Sequence, residues 1–554
     1  MHKLKPMRIL FILIYLLIST PLLGQLSLTP QQKLSLDSII ALDVPENAPG
    51  VATALIADGD VIYQKYSGYE NLKKETRIDA HSRFNVASNA KQFTALAILV
   101  LEEQGKLKLA DDIRTYLPEL YQALKTPIYI VHLIQHTSGI RDVYDLWSLQ
   151  GITWWKQTYD NQDVLDLLAN QQGLNFSPGV QYAYSNSNYI LLAEIIARVS
   201  GTSFIEFTNQ LFTDLNMPNT SFENDFTRIK NPVARAYFNF DTWSTYDWKW
   251  NAVGDGNLFS TLADQIEWEK TVQGYGHPAV SRELIKKSQQ LHAANENLKY
   301  GYGLEFDTYR GKPYRFHEGS TGAWKATVVR FENPKLAVVT LTNSGKVIPA
   351  MMTRQFVDVV LKLENEATDF QTAPEHTGNY VSVAEVLGRY LTPGNYVYEF
   401  LEGDSGNLIL NRLDRGAVVL ERESANVFHQ KYDPAFKQEF TKTETGEMEV
   451  TAYYTTHAPY SLTRPEADWE NYDYKKLDGT YVNSETGVKL ELEYVTDQTY
   501  LVYRDGKKSQ GFLVTLGKLL VGNYAVTFTE EQKEVGTIYL SADRIQMVKF
   551  DRQD

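Results

Sequence analysis

The chain has 554 residues, of which 43% are hydrophobic and 22% are charged, and its formal net charge is -14. This composition is typical of a globular protein with several domains, and it excludes a polytopic membrane protein, a disordered tail and a fibrous repeat. The acidic balance leaves no basic field for nucleic acid, so we expect no nucleic-acid partner.

The beginning of the chain has the pattern of an export signal. Three Lys or Arg residues lie within the first eight positions, an apolar run follows at 9–18, and the small residue Gly24 comes next. Such a run is too short to span a bilayer comfortably. We expect residues 1–25 to be a cleaved signal peptide and the protein to be periplasmic or extracellular, without a stable membrane span. An uncleaved signal anchor is the alternative.

Residues 26–364 alternate helical and strand-like patterns. Helical patterns lie at 31–42, 92–103 and 351–363, and strand-like patterns at 51–56, 61–66, 315–318, 326–331 and 336–342. Asp58-Gly59-Asp60 indicates a hairpin, and the helix at 92–103 is apolar nearly all round, which favours burial. Strands at both ends with helices between them predict an α/β domain, an antiparallel sheet flanked by helices with a helical insert.

Beyond residue 364 the pattern becomes all-β. Short alternating runs are separated by Gly, Asp and Asn, and residues 378–382 resemble residues 479–483. The repeat predicts two barrel-like modules at 372–464 and 475–554. One large sandwich is the alternative.

Ser88-Asn89-Ala90-Lys91 opens the apolar helix. The Ser88 and Lys91 side chains share one helix face because they are three residues apart. A lysine can deprotonate a serine when burial or a neighbouring cation destabilises the ammonium form. The buried helix offers such burial, and its dipole favours negative charge near Ser88. The pair indicates catalysis, although a solvated first turn would contain the same residues.

Tyr184-Ser185-Asn186 lies between a Pro-Gly turn and an apolar helical pattern at 189–196. Tyr-x-Asn also recurs elsewhere in the chain, so its position at a loop–helix junction is the informative feature. A tyrosine held near a lysine can relay a proton to a leaving group. A tyrosine packed under a loop is the structural alternative.

His317-Glu318-Gly319-Ser320 ends a strand-like run. Glycine there allows a substrate backbone to lie against the strand edge, and the Ser320 and Ser88 backbone N–H groups could form an oxyanion hole. A rival His-Thr-Gly motif at 376–378 opens the first β repeat and is interpreted as structural.

His132 and His136 have the spacing of zinc ligands on a helix. The residues between them are Leu, Ile and Gln, without a catalytic Glu, so we predict no metal site. The absence of cysteine also excludes disulfides, thiolate metal sites and a cysteine nucleophile. We expect no cofactor.

Together the motifs resemble the serine β-lactamase and penicillin-binding protein superfamily. The similarity is greatest to the class C β-lactamase-related hydrolases, a branch that includes D-aminopeptidases and esterases. It covers about residues 35–363 and rests on the order Ser88-x-x-Lys91, Tyr184-x-Asn186, His317-x-Gly319. The segments at 136–139 and 176–179 also resemble that family. Some D-aminopeptidases of this branch carry two C-terminal lipocalin-like barrels, similar in size and number to the tail here.

The resemblance implies a role for each matching residue. Ser88 would form the acyl-enzyme, Lys91 would help deprotonate it, and Tyr184 would shuttle protons. Asn186 would hold the substrate amide or the lysine. The remaining predicted substrate-binding residues are His317, Gly319 and Ser320.

The third motif departs from the Lys-Thr-Gly common in such lactamases. A lysine that would anchor a carboxylate is replaced by His317, which is largely neutral at pH 7. We therefore expect a secreted serine hydrolase that acts on small-molecule or short peptide substrates, preferring D-amino-acid peptides, amides or esters to β-lactams. A β-lactamase or D-Ala-D-Ala carboxypeptidase is the alternative, and a non-catalytic sensor on the same fold is the alternative of another class. The oligomeric state is not predicted.

Overall fold

The computed structural model describes the chain in twelve segments: 26–153, 156–239, 242–292, 299–363, 381–392, 396–412, 416–430, 433–443, 446–453, 459–464, 469–529 and 534–553. The predicted signal at 1–25, the rival motif at 376–378 and most of the first copy of the repeat lie outside these residues. In the described part of the chain, no helix has the length and apolar character needed to cross a membrane.

The first part of the chain forms a layered α/β domain. Its strands are β1 (Val51–Ala57), β2 (Asp60–Ser67), β3 (Tyr69–Asn71), β4 (Thr76–Arg77), β5 (Phe84–Asn85), β6 (Ser221–Phe222), β7 (Phe238–Asn239), β8 (Trp243–Ser244), β9 (Leu258–Ser260), β10 (Glu305–Tyr309), β11 (Lys312–Thr321), β12 (Trp324–Phe331) and β13 (Leu336–Thr342). The main sheet is antiparallel and has the order β10-β11-β12-β13-β1-β2. The first and last strands of the domain therefore meet at its centre.

Helices of the α/β domain cover both faces of this sheet and make up the helical insert between its strands. Those of the α/β domain are α1 (Pro30–Asp43), α2 (Lys91–Glu103), α3 (Ile130–Ile134), α4 (Val143–Leu149), α5 (Asn161–Ala169), α6 (Asn186–Ser200), α7 (Phe204–Asp214), α8 (Leu262–Val272), α9 (Arg282–Ser288) and α10 (Pro349–Leu361). The helix α11 (Val383–Val386) belongs to the next domain. Helices α1 and α10 pack against one face of the sheet, where Leu36 and Phe356 join one apolar cluster with Val338. Helices α2 and α8 pack on the other face.

The hairpin predicted at Asp58-Gly59 is confirmed, with Gly59 at a φ of 82° between β1 and β2. The helix predicted at 92–103 is also confirmed and is buried on almost every side. Strand β10 was missed, because its Glu305–Tyr309 sequence is short, contains no fully buried residue and lacks an apolar alternation.

Two all-β sheets follow the α/β domain, which confirms the predicted fold class. The first contains β14 (Gly388–Leu391), β15 (Val397–Glu402), β16 (Leu408–Arg412), β17 (Gly416–Arg422), β18 (Val427–Gln430), β19 (Asp433–Lys442), β20 (Met448–Tyr453) and β21 (Tyr460–Leu462). The second contains β22 (Gly479–Val482), β23 (Lys489–Thr496), β24 (Thr499–Arg504), β25 (Lys507–Thr515), β26 (Lys518–Val521), β27 (Tyr524–Thr527), β28 (Thr537–Ser541) and β29 (Val548–Gln553).

The second of these sheets is a closed eight-stranded barrel, in which β22 pairs with β29. In the first, eight strands follow in order, and a bridge between Leu391 and Thr463 links its two ends. A closed barrel is incompatible with the single-sandwich alternative. The exact domain limits stay a prediction.

The closed barrel packs directly on the α/β domain. Arg141 forms a 2.7 Å ion pair with Glu485 of the barrel, and both side chains are largely buried. Gln150 donates a 3.1 Å hydrogen bond to the Thr486 carbonyl. Because Arg141 directly precedes the site residue Asp142 described below, the barrel lies beside the candidate site.

A buried ion pair joins the sheet to the helices beneath the site. Arg330 of β12 lies 2.7 Å from Glu269 of α8, and their side chains are 3% and 0% exposed. Arg330 also donates a 2.8 Å hydrogen bond to Gln92 of α2. Sheet, α2 and α8 are therefore held in one arrangement by a single guanidinium.

Replacing Arg330 with alanine is expected to lower the free energy of unfolding by about 3–5 kcal/mol, because Glu269 would become an unpaired buried carboxylate. Urea unfolding measures the loss. Lys299→Ala is the control, since the Lys299–Asp307 pair is exposed (77% and 48%) and such pairs contribute about 0–1 kcal/mol. Equal losses in the two variants would contradict the role of the buried pair.

Candidate active site

Ser88 lies on a sharp turn at the base of a cleft. It belongs to the 3-10 helix Ala87–Ala90, which continues directly into α2. The turn is stabilised by a 2.9 Å hydrogen bond from the Ala87 N–H to the Asn85 side chain, and Ala87 has a φ of 48°. Ser88 is partly exposed, whereas both of its neighbours are buried. Its hydroxyl is therefore accessible from the cleft.

The Lys91 amine lies directly beneath this hydroxyl. Its Nζ is 3.1 Å from Ser88 Oγ, 3.0 Å from Asn186 Oδ1 and 2.7 Å from the Asp255 carbonyl oxygen. The side chain is fully buried. Ser88 and Asn186, which were predicted from two separate motifs, thus both form hydrogen bonds with Lys91 Nζ.

Burial lowers the pKa of Lys91 to about 8, although the nearby carboxylates of Asp255 and Asp142 oppose this effect and Arg544 adds to it. Removing a cation from water disfavours its charged form. A substantial fraction of the amine is consequently neutral near pH 8 and able to accept a proton.

Tyr184 faces the same hydroxyl from the other side of the cleft. Burial raises the pKa of Tyr184 well above its ordinary value, and the nearby Ser88 hydroxyl partly opposes this rise. The Lys91 Nζ lies 5.0 Å from the centre of its ring, and the His136 ring packs against it at 4.3 Å. Tyr184 is therefore a protonated phenol within reach of both Ser88 and Lys91.

Asn186 begins α6, earlier than the predicted helix at 189–196. Its backbone N–H and its side-chain amide both donate to Asp142 Oδ2, at 2.6 Å and 2.9 Å. This orients the Asn186 oxygen toward Lys91. Asp142 is fully buried and was not singled out from the sequence, where one acidic residue before a short helix looks like an ordinary N-cap. It is also the N-cap of α4.

The third motif lies at the free part of a sheet edge. Strand β10 begins at Glu305, which pairs with Phe316, so the neighbouring strand ends just before His317. The 3-10 turn that carries Ser88 occupies the place beside this edge. A Cβ on Gly319 would lie 2.4 Å from the Val86 carbonyl oxygen and 3.0 Å from the Ser88 nitrogen. Only glycine allows this approach.

His317 is buried and neutral. Its Nδ1 lies 2.7 Å from the Glu318 carbonyl oxygen, which can only accept, so Nδ1 carries the proton. Its Nε2 then accepts from the Tyr300 hydroxyl at 3.1 Å. Burial, with the nearby charge of Lys91, lowers the pKa of His317 to about 3. Both ring nitrogens have protein partners, and Tyr300 is a site residue that the sequence analysis missed.

These residues line one cleft of about 860 Å³, a volume usual for small-molecule sites. Of the predicted residues, the cleft is lined by Ser88, Tyr184, Asn186, His317, Gly319 and Ser320, with Lys91 buried below them. Its further walls include Tyr144, Trp147, Trp248, Trp250, Glu305, Glu318 and Arg544. Apart from Glu318, which belongs to the third motif, sequence reasoning did not find these residues, because they are scattered along the chain and have no motif.

Two carboxylates give the cleft an acidic wall. Burial raises the pKa of Glu305 to about 7, and the neighbouring Glu318 adds to the effect. Burial also raises the pKa of Glu318, whose carboxylate lies 3.5 Å from Arg354. Glu318 belongs to the lining of the cleft, but its carboxylate is directed toward Arg354 of α10.

The two histidines with zinc-like spacing have separate partners. His132 Nδ1 accepts from the Tyr129 N–H at 3.2 Å, and His136 Nδ1 accepts from the Ser185 N–H at 3.2 Å. Within the described segments, no three His, Cys, Asp or Glu side chains are grouped so that they could hold a metal ion.

The chain is similar in sequence to a known protein family and to several characterised proteins. A family model described as Beta-lactamase matches residues 38–359. The Protein flp of Staphylococcus aureus (strain MRSA252) is 26% identical over 390 residues, covering 67% of this chain and 72% of the relative. Penicillin-binding protein 4* of Bacillus subtilis (strain 168) is 29% identical over 319 residues, covering 52% of this chain and 67% of the relative.

Among solved structures, the octameric penicillin-binding protein homologue from Pyrococcus abyssi aligns with a TM-score of 0.55 and 23% identity, covering 77% of this chain and 98% of that chain. This similarity shows the fold.

Gly319→Ala is expected to reduce the reactivity of Ser88 at least about 100-fold. The added Cβ would collide with the backbone of the turn that carries Ser88, so that either the strand edge or this turn must move. Small displacements of reacting groups lower reaction rates strongly. The rate of covalent labelling by a fluorophosphonate probe measures this reactivity. Gly536→Ala is the control, because its Cβ would meet no atom within 4 Å. Unchanged labelling of the Gly319 variant would contradict the close approach.

The labelling rate of Ser88 should rise with pH and level off above about 8, since the Lys91 amine must be neutral to accept the proton and its pKa is about 8. Below that pH the ammonium form predominates and each unit should lower the rate about tenfold. Rates measured between pH 5.5 and 9.5 test this, and a rate independent of pH below 8 would contradict it.

Proposed function

Because the chain belongs to the Beta-lactamase family of serine hydrolases, we propose that it cleaves amide or ester bonds through an acyl-enzyme formed on Ser88. The observation that carries this proposal is the fully buried Lys91 amine 3.1 Å from the Ser88 hydroxyl. Export of the protein after signal cleavage is part of the proposal and rests on the pattern at 1–25.

The hydrogen bonds of Lys91 direct its lone pair. A neutral amine has two N–H groups and one lone pair. Asn186 Oδ1 and the Asp255 carbonyl oxygen can only accept, so they take the two N–H groups. The lone pair is then left for the Ser88 O–H, which makes Lys91 the base for acylation.

The sheet edge supports an oxyanion hole. Thr321 and Trp324 close a two-residue hairpin, so their pair exchanges hydrogen bonds, and the next pair, Ser320 with Lys325, turns its backbone groups outward. The Ser320 N–H thus points away from β12, toward the free edge beside Ser88. With the Ser88 N–H it would bind the oxygen of the tetrahedral intermediate.

Tyr184 is the acid for the leaving group. It stays protonated because burial raises its pKa, and it lies in the same cleft as Ser88, beside the amine of Lys91. As the C–N or C–O bond breaks, Tyr184 gives its proton to the departing atom and recovers one through Lys91. A water activated by the same pair would then release the acyl group from Ser88.

The charges of the cleft favour an acyl part without a negative charge. His317 is neutral where the related lactamases commonly have a lysine, and the same cleft is lined by Glu305, a carboxyl group with a pKa of about 7. An ammonium group would be attracted to the ionised form of this carboxyl group. This supports peptides with a free amino terminus, amides and esters over β-lactams, with the D-amino-acid preference following from the family resemblance.

Ser88→Ala should abolish turnover of D-alanine p-nitroanilide and an activated ester, and also fluorophosphonate labelling, because the acyl-enzyme can no longer form. Absorbance assays and mass spectrometry of the intact chain measure both. Ser38→Ala, on the exposed face of α1, is the control and should keep full activity. Equal turnover by the Ser88 variant, or ligand binding without any adduct in the natural chain, would reject the hydrolase mechanism.

A further inference from the structure

The loop between β28 and β29 of the closed barrel reaches the catalytic cleft. The Arg544 N–H donates to Asp145 Oδ2 at 3.0 Å, and the Arg544 carbonyl accepts from the Asp142 N–H at 3.2 Å and from the Asn175 side chain at 3.0 Å. Gln546 N–H donates to the Asn175 oxygen at 2.7 Å. The backbone of the loop is therefore held by the α/β domain itself.

The Arg544 guanidinium lies over the Tyr184 ring, 5.0 Å from its centre, and lines the cleft with Ser88. Its nearest carboxylates are Asp142 at 4.0 Å and Asp543 at 3.7 Å. No side chain in the described part of the molecule lies within hydrogen-bond distance of it, and Asp142 Oδ2 already accepts two hydrogen bonds from Asn186. Its N–H donors are thus available in the cleft.

The other basic groups of the cleft already have protein partners. The Lys91 amine has three protein partners, and His317 is neutral with both nitrogens bonded. Lys325 donates to the Gly345 and Val347 carbonyls at 2.8 Å and 2.9 Å. Arginine stays charged at all relevant pH values and matches a carboxylate with two parallel donors.

We propose that Arg544, supplied by the closed barrel, is the anion-binding residue of the catalytic cleft, and that the preferred substrates are short peptides whose leaving residue ends in a free carboxylate. This deepens the proposed function and rests on it. Arg544 takes over from another domain the positive charge that the third motif lacks.

The position of Arg544 identifies the leaving side of the cleft. Tyr184 is the acid that protonates the departing nitrogen, so the leaving residue must lie over or beside its phenol. The guanidinium lies over that same ring. A carboxylate one residue beyond the scissile bond would then reach Arg544, while an ammonium group on the acyl part would face the acidic wall.

The test compares D-alanyl-D-alanine, its C-terminal amide, and N-succinyl-D-alanine p-nitroanilide, which carries its anion on the acyl side. Arg544→Gln should reduce kcat/KM for the free acid about 10- to 100-fold, mainly through KM, as expected for loss of a charge-assisted hydrogen bond. Arg544 also lies over Tyr184 and affects the pKa of Lys91, so kcat/KM for the amide and for the succinyl substrate can fall as well, but by much less, and the acid-to-amide ratio of kcat/KM is the readout. Arg544→Lys should recover part of the loss because it keeps the charge.

Lys549→Gln is the matched control, because it removes a positive charge from an exposed ion pair with Asp551 on the same barrel. It should leave kcat/KM for all three substrates unchanged. If Arg544→Gln lowers kcat/KM equally for the free acid and for the amide, the proposal is overturned. Arg544 would then act only by orienting the site or by changing the pKa of Lys91. A loss confined to the succinyl substrate would place the anion on the acyl side and also overturn it.

Calorimetry on the Ser88→Ala variant separates this inference from the proposed function. The dipeptide acid should bind more tightly than its amide, and Arg544→Gln added to Ser88→Ala should abolish the difference. No difference between acid and amide would overturn the anion site whether or not Ser88 is catalytic. Absent labelling of Ser88 in the natural chain, with the binding difference intact, would reject the hydrolase mechanism alone.

Discussion

The site depends on one buried amine. Lys91 carries three hydrogen bonds in a place from which water is excluded, and two of its partners can only accept. Burial lowers the pKa of the amine, and the hydrogen bonds direct it at Ser88. Each partner is held in turn: Asn186 by the buried carboxylate of Asp142, and Asp255 by the Tyr144 hydroxyl at 2.8 Å. The chemistry thus depends on a chain of polar contacts extending across three helices and a loop.

The sheet contributes the free edge of a strand, together with the His317 side chain. Strand β11 extends beyond the end of its neighbour β10, and the 3-10 turn Ala87–Ala90 lies beside the unpaired part of β11. Gly319 is required there because any side chain would collide with the Val86 carbonyl oxygen. The buried Arg330–Glu269 pair fixes the same sheet against α2 and α8. Stability and reactivity therefore share one scaffold, in which small shifts of packed backbone would reach the nucleophile directly.

The closed barrel contributes to the candidate active site, because its Arg544 lines the cleft. Its buried ion pair through Arg141 adjoins Asp142, the residue that orients Asn186. Its loop places Arg544 over the ring of Tyr184. The cleft therefore contains a carboxyl group from the α/β domain, Glu305, and a cation from the barrel, Arg544.

The sequence alone determined the local features: the buried helix after Ser88, the Asp58-Gly59 hairpin, the three motifs and the all-β tail, since these follow from periodicity and turn chemistry over a few residues. Only the tertiary structure decided which groups complete the site. Asp142, Tyr300, Glu305 and Arg544 have no recognisable local pattern, and Arg544 is 360 residues beyond Tyr184 along the chain. Their roles arise from contacts between distant segments, and the pKa of Lys91 from burial that those contacts create.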